Sequence, residues 1–220
     1  MKFSPTAVFF LLLTCGFRCF SSETKDVLNN IENSYSGIND ISFNFTQKLT
    51  IKISGETETI SGNAAFKKPD KFRITNKKPR EQTIVCDGKK MYLYSKKLNQ
   101  VTVEEPGSQG QMLPRQFFDF SSVISDLTGG YDISIEKEDT DYFILSCTPK
   151  GEKRIPESAS NNSKMKLWIS KEKYLLKQME TSTDATVTEI SVSKIKTNNN
   201  IGESLFKFKI PKGADVVTPR

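Results

Sequence analysis

Cys86 and Cys147 are the two cysteines that fall among the patterned residues of this chain, and they are the first candidates for chemistry. Both sit in runs of alternating polarity and read as strand residues. A single disulfide and a pair of buried free thiols are both open, because sequence does not give the Cα spacing a bridge requires. Two separated cysteines do not make a thiolate zinc site. The chain has no histidine. That removes Ser-His-Asp and Cys-His nucleophilic catalysis and every His-liganded zinc site. Neither G-x-x-x-x-G-K-[ST] nor G-x-G-x-x-G is present, so a nucleotide cradle has no support. A catalyst would have to be built from carboxylates, lysine, tyrosine or serine, and no spacing singles out such a pair. No enzyme, cofactor or metal is expected.

The elements that carry these residues are mostly strands. Ile41, Phe43, Phe45, Leu49, Ile51 and Ile53 alternate with polar residues, and only Gln47 breaks the apolar face. This period of two means an antiparallel strand with one wet face, long enough to belong to a large curved sheet. Further strands are expected over 57–67 (Ile60, Ala64 and Phe66 on one face), 71–76 (Phe72, Ile74), 82–86, 90–94 (with Met91) and 98–103. Asp87-Gly88 is a two-residue hairpin signal. After a break, strands resume over 131–137, 142–148, 165–170, 175–181, 186–195 and 205–210, with a turn at 197–200. Two segments carry the helical period instead. Val27, Leu28, Ile31 and Tyr35 mark a helix over 22–36, with Ser22 as cap and Gly37 beyond its end. Leu113, Phe117, Phe120, Ile124 and Leu127 mark a second, stopped by Gly129-Gly130. Residues 149–163 show no apolar period and read as an exposed loop. The sum is about eleven or twelve antiparallel strands and two amphipathic helices. So wide a sheet must curl or expose its edges, and the helices would cover its concave apolar face.

Composition sets the bounds. The chain has 220 residues, 36% of them hydrophobic, which supports a core but is lean for the length. Part of the apolar surface is therefore free to line something other than a solid core. The net charge of +6 is spread over scattered lysines, so nucleic acid is not an expected partner. Residues 1–21 read as a signal peptide: Lys2, an apolar run from Ala7 to Leu13, and small residues before a cleavage after Ser21. Residues 22–220 are then a single domain. A rival is acylation at Cys15, since Leu12-Leu13-Thr14-Cys15 loosely matches a lipidation box.

Several short blocks in fixed order complete the picture. They are Phe45-Thr46-Gln47-Lys48, Gly62 through Lys67-Lys68-Pro69 to Phe72-Arg73, Pro79, Val85-Cys86-Asp87-Gly88-Lys89 with Tyr92 and Tyr94, Asn99-Gln100-Val101-Thr102-Val103, and Phe206-Lys207-Phe208 to Val216. In this order, from about residue 26 to 217, the chain resembles the LolA family of periplasmic lipoprotein carriers. The resemblance implies a half-open antiparallel β-barrel under an α-helical lid. It implies a shuttle that takes acylated lipoproteins from an inner-membrane ATP-binding-cassette release complex to an outer-membrane acceptor. It further implies an acyl-chain cavity and lid built from Val27, Ile31, Phe43, Phe45, Ile60, Phe66, Phe72, Met91, Phe117, Phe120 and Ile124, in a monomer of the periplasm. If Cys15 were acylated, the chain would instead be an anchored acceptor or lipid-binding lipoprotein of the same fold.

The resemblance also points to a latch. In the family a basic residue, usually Arg, precedes the Pro of the second block and joins lid to barrel. Here that position is Lys68, which keeps the charge and loses the planar fork. Either Lys68 makes a weaker latch or Arg73 has taken over, while a solvated turn lysine is the bland alternative. Two departures stand out: Ile74 replaces a frequent Trp, and the loop at 149–163 is longer than usual.

Overall fold

The computed structural model of the protein describes residues 20–105, 128–150 and 164–218. One helix, α1 (Phe20–Ser36), precedes a run of strands: β1 (Asp40–Ile51), β2 (Thr57–Lys67), β3 (Lys71–Lys78), β4 (Gln82–Asp87), β5 (Met91–Ser95) and β6 (Gln100–Glu104). A second run follows: β7 (Tyr131–Glu138), β8 (Tyr142–Pro149), β9 (Lys164–Ser170), β10 (Leu176–Ser182) and β11 (Thr186–Thr197), and a short β12 (Asp215–Val217) ends it. All lie in one sheet of order β12-β6-β5-β4-β3-β2-β1-β11-β10-β9-β8-β7. Two meanders are thus joined where β1 meets β11, and the sheet forms a half-open barrel.

The curl has local causes. One extra residue interrupts the register in β11 against Ser42–Asn44 of β1, in β10 between Leu176 and Gln178, in β3 against Ser61–Gly62, and in β7 between Ile135 and Lys137. Each such bulge bends its strand and increases the twist. In β11 the irregularity falls at Lys194, which adopts φ 52°, the left-handed region that non-glycine residues seldom occupy.

Most expected elements stand within two residues of their place, with instructive exceptions. α1 starts two residues before Ser22, so Ser22 is inside the helix and not its cap. β1 stops at Ile51, and Ile53 lies in the following turn, 97% exposed. The β4–β5 loop is centred on Gly88-Lys89, not Asp87-Gly88. The Asp87 carboxylate accepts from the Lys89 and Lys90 N–H groups, both at 2.8 Å, and Gly88 takes φ 95°. Residues 128–130 are helical and β7 begins at Tyr131, so this helical stretch ends at the Gly129-Gly130 pair. The rest of the expected helix, with Phe117, Phe120 and Ile124, lies outside the described residues, as do residues 1–19 and nearly all of the expected loop.

The expected strand over 205–210 is absent. Glu203–Phe206 forms a 3-10 turn and β12 pairs with β6 in parallel. The alternation there serves packing on a sheet face, not pairing in a ladder. Phe206 is 1% exposed, and Phe208 stacks on Tyr92 with ring centroids 5.3 Å apart. Pro211, just beyond, has no N–H to give a ladder. Three cations of β2 and β3 tie this tail down. Lys67 and Lys71 pair with the Glu203 carboxylate at 2.9 and 2.6 Å, and Arg73 donates to the Leu205 carbonyl at 3.3 Å. These bonds hold the Glu203 carboxyl at about 2, below its usual range, with Lys71 the larger influence and Lys67 the second.

Two clusters make up the interior. The first gathers Ile38, Ile41, Phe43, Ala64, Phe66, Phe72, Ile74, Cys86, Met91 and Leu175. The second gathers Val27 and Ile31 of α1 with Leu145, Cys147, Leu167, Ile169 and Leu176. Cys86 and Cys147 are therefore in different clusters; both are buried and neither is in a disulfide. Burial pushes the Cys147 thiol up to about 12.

Candidate functional site

Beside the part of the sheet that α1 covers lies a cleft of about 170 Å³. Its walls are Ile41, Phe43, Phe45 and Gln47 of β1, Ile60 and Ala64 of β2, Ile74 and Asn76 of β3, and Ile84 of β4. On the other side stand Leu176 and Met179 of β10 and Ile190, Val192 and Ile195 of β11, with Tyr35 of α1 at one end. The chemistry on offer is hydrophobic enclosure. No group of three or more His, Cys, Asp or Glu side chains able to hold a metal occurs among the described residues.

The bulges explain how the far wall is built. Ile190 and Val192 are two apart, but Ile195 is three further on; the extra residue at Lys194 restores it to the same face. The irregularity between Leu176 and Gln178 does the same for Leu176 and Met179. The near wall depends on a glycine. Phe45 lies opposite Gly62 in the β1–β2 ladder, and a Cβ at Gly62 would come 2.8 Å from the Phe45 ring and 2.2 Å from the Thr75 carbonyl oxygen. Only the absence of a side chain lets the ring lie over β2 at that point.

Three bonds fix the C-terminal end of α1 beside the cleft. Lys68 Nζ donates to the Ser36 carbonyl at 3.2 Å. Asn198 Nδ2 donates to the Gly37 carbonyl at 2.9 Å. The Leu176 N–H donates to the Tyr35 hydroxyl at 3.0 Å, and burial pushes the Tyr35 pKa upward. A lysine at this place also meets the negative end of the helix dipole. The side chain of Lys68 thus reaches the helix, whereas Arg73 reaches the tail.

The eight described residues among those expected to form cavity and lid divide into three groups. Phe43, Phe45 and Ile60 line the cleft. Phe66, Phe72 and Met91 belong to the buried cluster beside it: Phe66 stacks between Phe43 and Phe72 at 6.1 and 5.9 Å, and Met91 is 1% exposed. Val27 and Ile31 face the second cluster, 3% and 1% exposed, so of the α1 face only Tyr35 reaches the cleft. Sequence reasoning missed Tyr35 and the whole β10–β11 wall. The alternation of Ile190 and Val192 could have signalled part of it; Leu176, Met179 and Ile195 were hidden by the bulges.

Similar proteins point the same way. A family model described as outer membrane lipoprotein carrier protein LolA matches residues 36–209. An outer-membrane lipoprotein carrier protein of Legionella pneumophila (strain Corby) is 31% identical over 209 residues, covering 94% of this chain and 96% of the relative. One of Francisella tularensis subsp. tularensis (strain WY96-3418) is 26% identical over 204 residues, covering 90% and 89%. Among solved structures, a conserved protein of Thermus thermophilus superposes with a TM-score of 0.54 at 15% identity, covering 90% of this chain and 99% of that one, which bears on the fold alone. The matched stretch contains every strand of the sheet but β12 and nearly all of the cleft wall, and on that match the chain belongs to the LolA family of outer membrane lipoprotein carriers.

Proposed function

We propose that this protein is a periplasmic lipoprotein carrier that shields acyl chains in the cleft between β1–β4 and β10–β11. The observation that carries the reading is the apolar wall itself, thirteen apolar or aromatic side chains interrupted by only two amides. Each buried methylene is worth about 0.8 kcal/mol, so exposing a chain of about 16 carbons costs on the order of 10 kcal/mol. A polar groove could not offset that. The cargo is taken from an inner-membrane ATP-binding-cassette release complex and given to an outer-membrane lipoprotein acceptor. Residues 1–21 serve as the export signal, and residues 22–220 act as one carrier domain, a monomer with no enzymatic role. In this reading Phe117, Phe120 and Ile124 supply lid surface. Lys68 is the latch, and Arg73 anchors the tail.

The test is a release assay. Purified residues 22–220 are added to spheroplasts or inner-membrane vesicles that make a radiolabelled lipoprotein and contain the cognate release machinery. The expected result is label in the soluble fraction as a one-to-one complex. Label that stays in the membrane, with no soluble complex formed, would overturn the carrier reading.

A further inference from the structure

The cleft wall is graded along β1. Ile41 and Phe43 are buried, Phe45 and Gln47 are half-buried, and beyond the wall Ile51 of the same strand is 38% exposed. The two amides of the wall stand toward the more open end. Gln47 has Ile60 of β2 on one side of the ladder and Ile190 of β11 on the other. Asn76 faces Gly62 of β2 and donates to Gln82 Oε1 at 3.4 Å. Among the described residues, the side-chain amide of Gln47 has no hydrogen-bond partner, and no buried side-chain polar atom is left unsatisfied. The Gln47 amide is therefore open to whatever occupies the cleft.

This placement decides what fits. A plain hydrocarbon filling the cleft would strip water from the Gln47 amide and give nothing back, which penalises binding. An occupant with a carbonyl oxygen at that height would accept from the amide NH2 and keep its hydrocarbon on the apolar floor. We propose that Gln47, assisted by Asn76, receives the carbonyl of the ester or amide linkage that joins an acyl chain to its cargo. The chain then runs from Gln47 past Phe45 and Phe43 toward Ile41 and Tyr35, methyl end innermost. The cargo's polypeptide leaves at the β1–β2 hairpin end. This inference rests on the carrier reading and adds an orientation and a linkage preference to it.

The test compares two synthetic cysteine peptides of equal chain length, one with ester-linked diacyl and one with ether-linked dialkyl glycerol on the sulfur. The full chain without its leader is titrated with each, using displacement of a fluorescent fatty acid. The wild type is expected to prefer the ester by about three- to tenfold, the range of one net hydrogen bond. Gln47→Leu should lose that preference and bind the ether at least as well as wild type; Gln47→Met serves the same purpose with closer volume. Asn76→Ala should reduce the preference by less. Equal affinity of the wild type for both peptides, or an equal loss of both in Gln47→Leu, would overturn the carbonyl grip and leave the carrier reading standing. Failure to bind either peptide would overturn the carrier reading, and the grip with it.

Discussion

The two halves of the sheet use one pattern to opposite ends. In the β7–β10 half, alternating apolar residues meet Val27 and Ile31 of α1, and Leu145 and Ile169 reach 0% exposure. In the β1–β4 and β11 half, with Leu176 and Met179 of β10 shared at the border, the same alternation faces a cleft, and Phe45, Ile60, Ile84, Ile190 and Val192 remain only half-buried. The difference lies in what stands opposite. α1 commits its apolar stripe to the first half and delivers only Tyr35 to the second. A strand's alternation therefore specifies which side chains leave water, not whether their partner is the protein or a ligand.

Truncations should separate the halves most sharply. Leu145→Ala or Ile31→Ala removes a packed side chain from a closed core and should cost about 2–5 kcal/mol in denaturant unfolding. Acyl-probe affinity of the folded fraction should change little. Ile190→Ala, in the cleft wall, should do the reverse: about 1 kcal/mol or less of stability, because the side chain already borders open space, with a clear loss of probe affinity. Equal stability losses in the two halves would erase the distinction.

Gly62→Ala should come next. Its Cβ would press on the Thr75 carbonyl oxygen and the Phe45 ring. Overpacking of this kind costs about 1–3 kcal/mol, and the displaced ring should narrow the cleft and weaken probe binding together with stability. Lys68→Leu is smaller in stability, about 0.5 kcal/mol for an exposed bond to a helix carbonyl. Its effect should fall on the rate of cargo transfer to acceptor, and an unchanged rate would remove Lys68 from the latch.

The smallest effect is one of pH, and it concerns the tail rather than either half. The Glu203 carboxyl is held at about 2 in the folded protein, against its ordinary value of 4.5, by Lys71 first and Lys67 second. A depressed folded value means that the stabilisation is fully present above the unfolded value. It fades as pH falls from about 4.5 toward about 2. Hydrogen exchange of the Glu203–Phe206 turn should accelerate over that window, and Glu203→Gln should remove the dependence. A turn whose protection is flat over the window in the wild type would mean that the ion pairs do not hold it.

The strands were legible because each has one apolar face, and Phe43, Phe45 and Ile60 followed directly from that alternation into the cleft. What was hidden depends on contacts between distant residues. Nothing local in Leu205–Ile210 distinguishes a strand from a tail laid across one; Phe208 finds its place only because Tyr92 and Tyr94 offer a face. The stripe of α1 was legible as apolar, but not which cluster it would enter. The β10–β11 wall was obscured by extra residues that break the period of two.

The seam between β1 and β11 has a consequence for assembly in time. Leu49 pairs with Thr188 and Phe45 with Val192, partners far apart along the chain. Each meander can form from neighbouring segments, but the cleft needs walls from both. Long-range pairings of this kind close late and slowly. A chain emerging N-terminus first therefore holds the edge of β1, with Phe43 and Phe45, unpaired until residues 186–197 arrive. That interval is the period of greatest risk, since an open apolar strand edge invites a stranger before the proper partner exists.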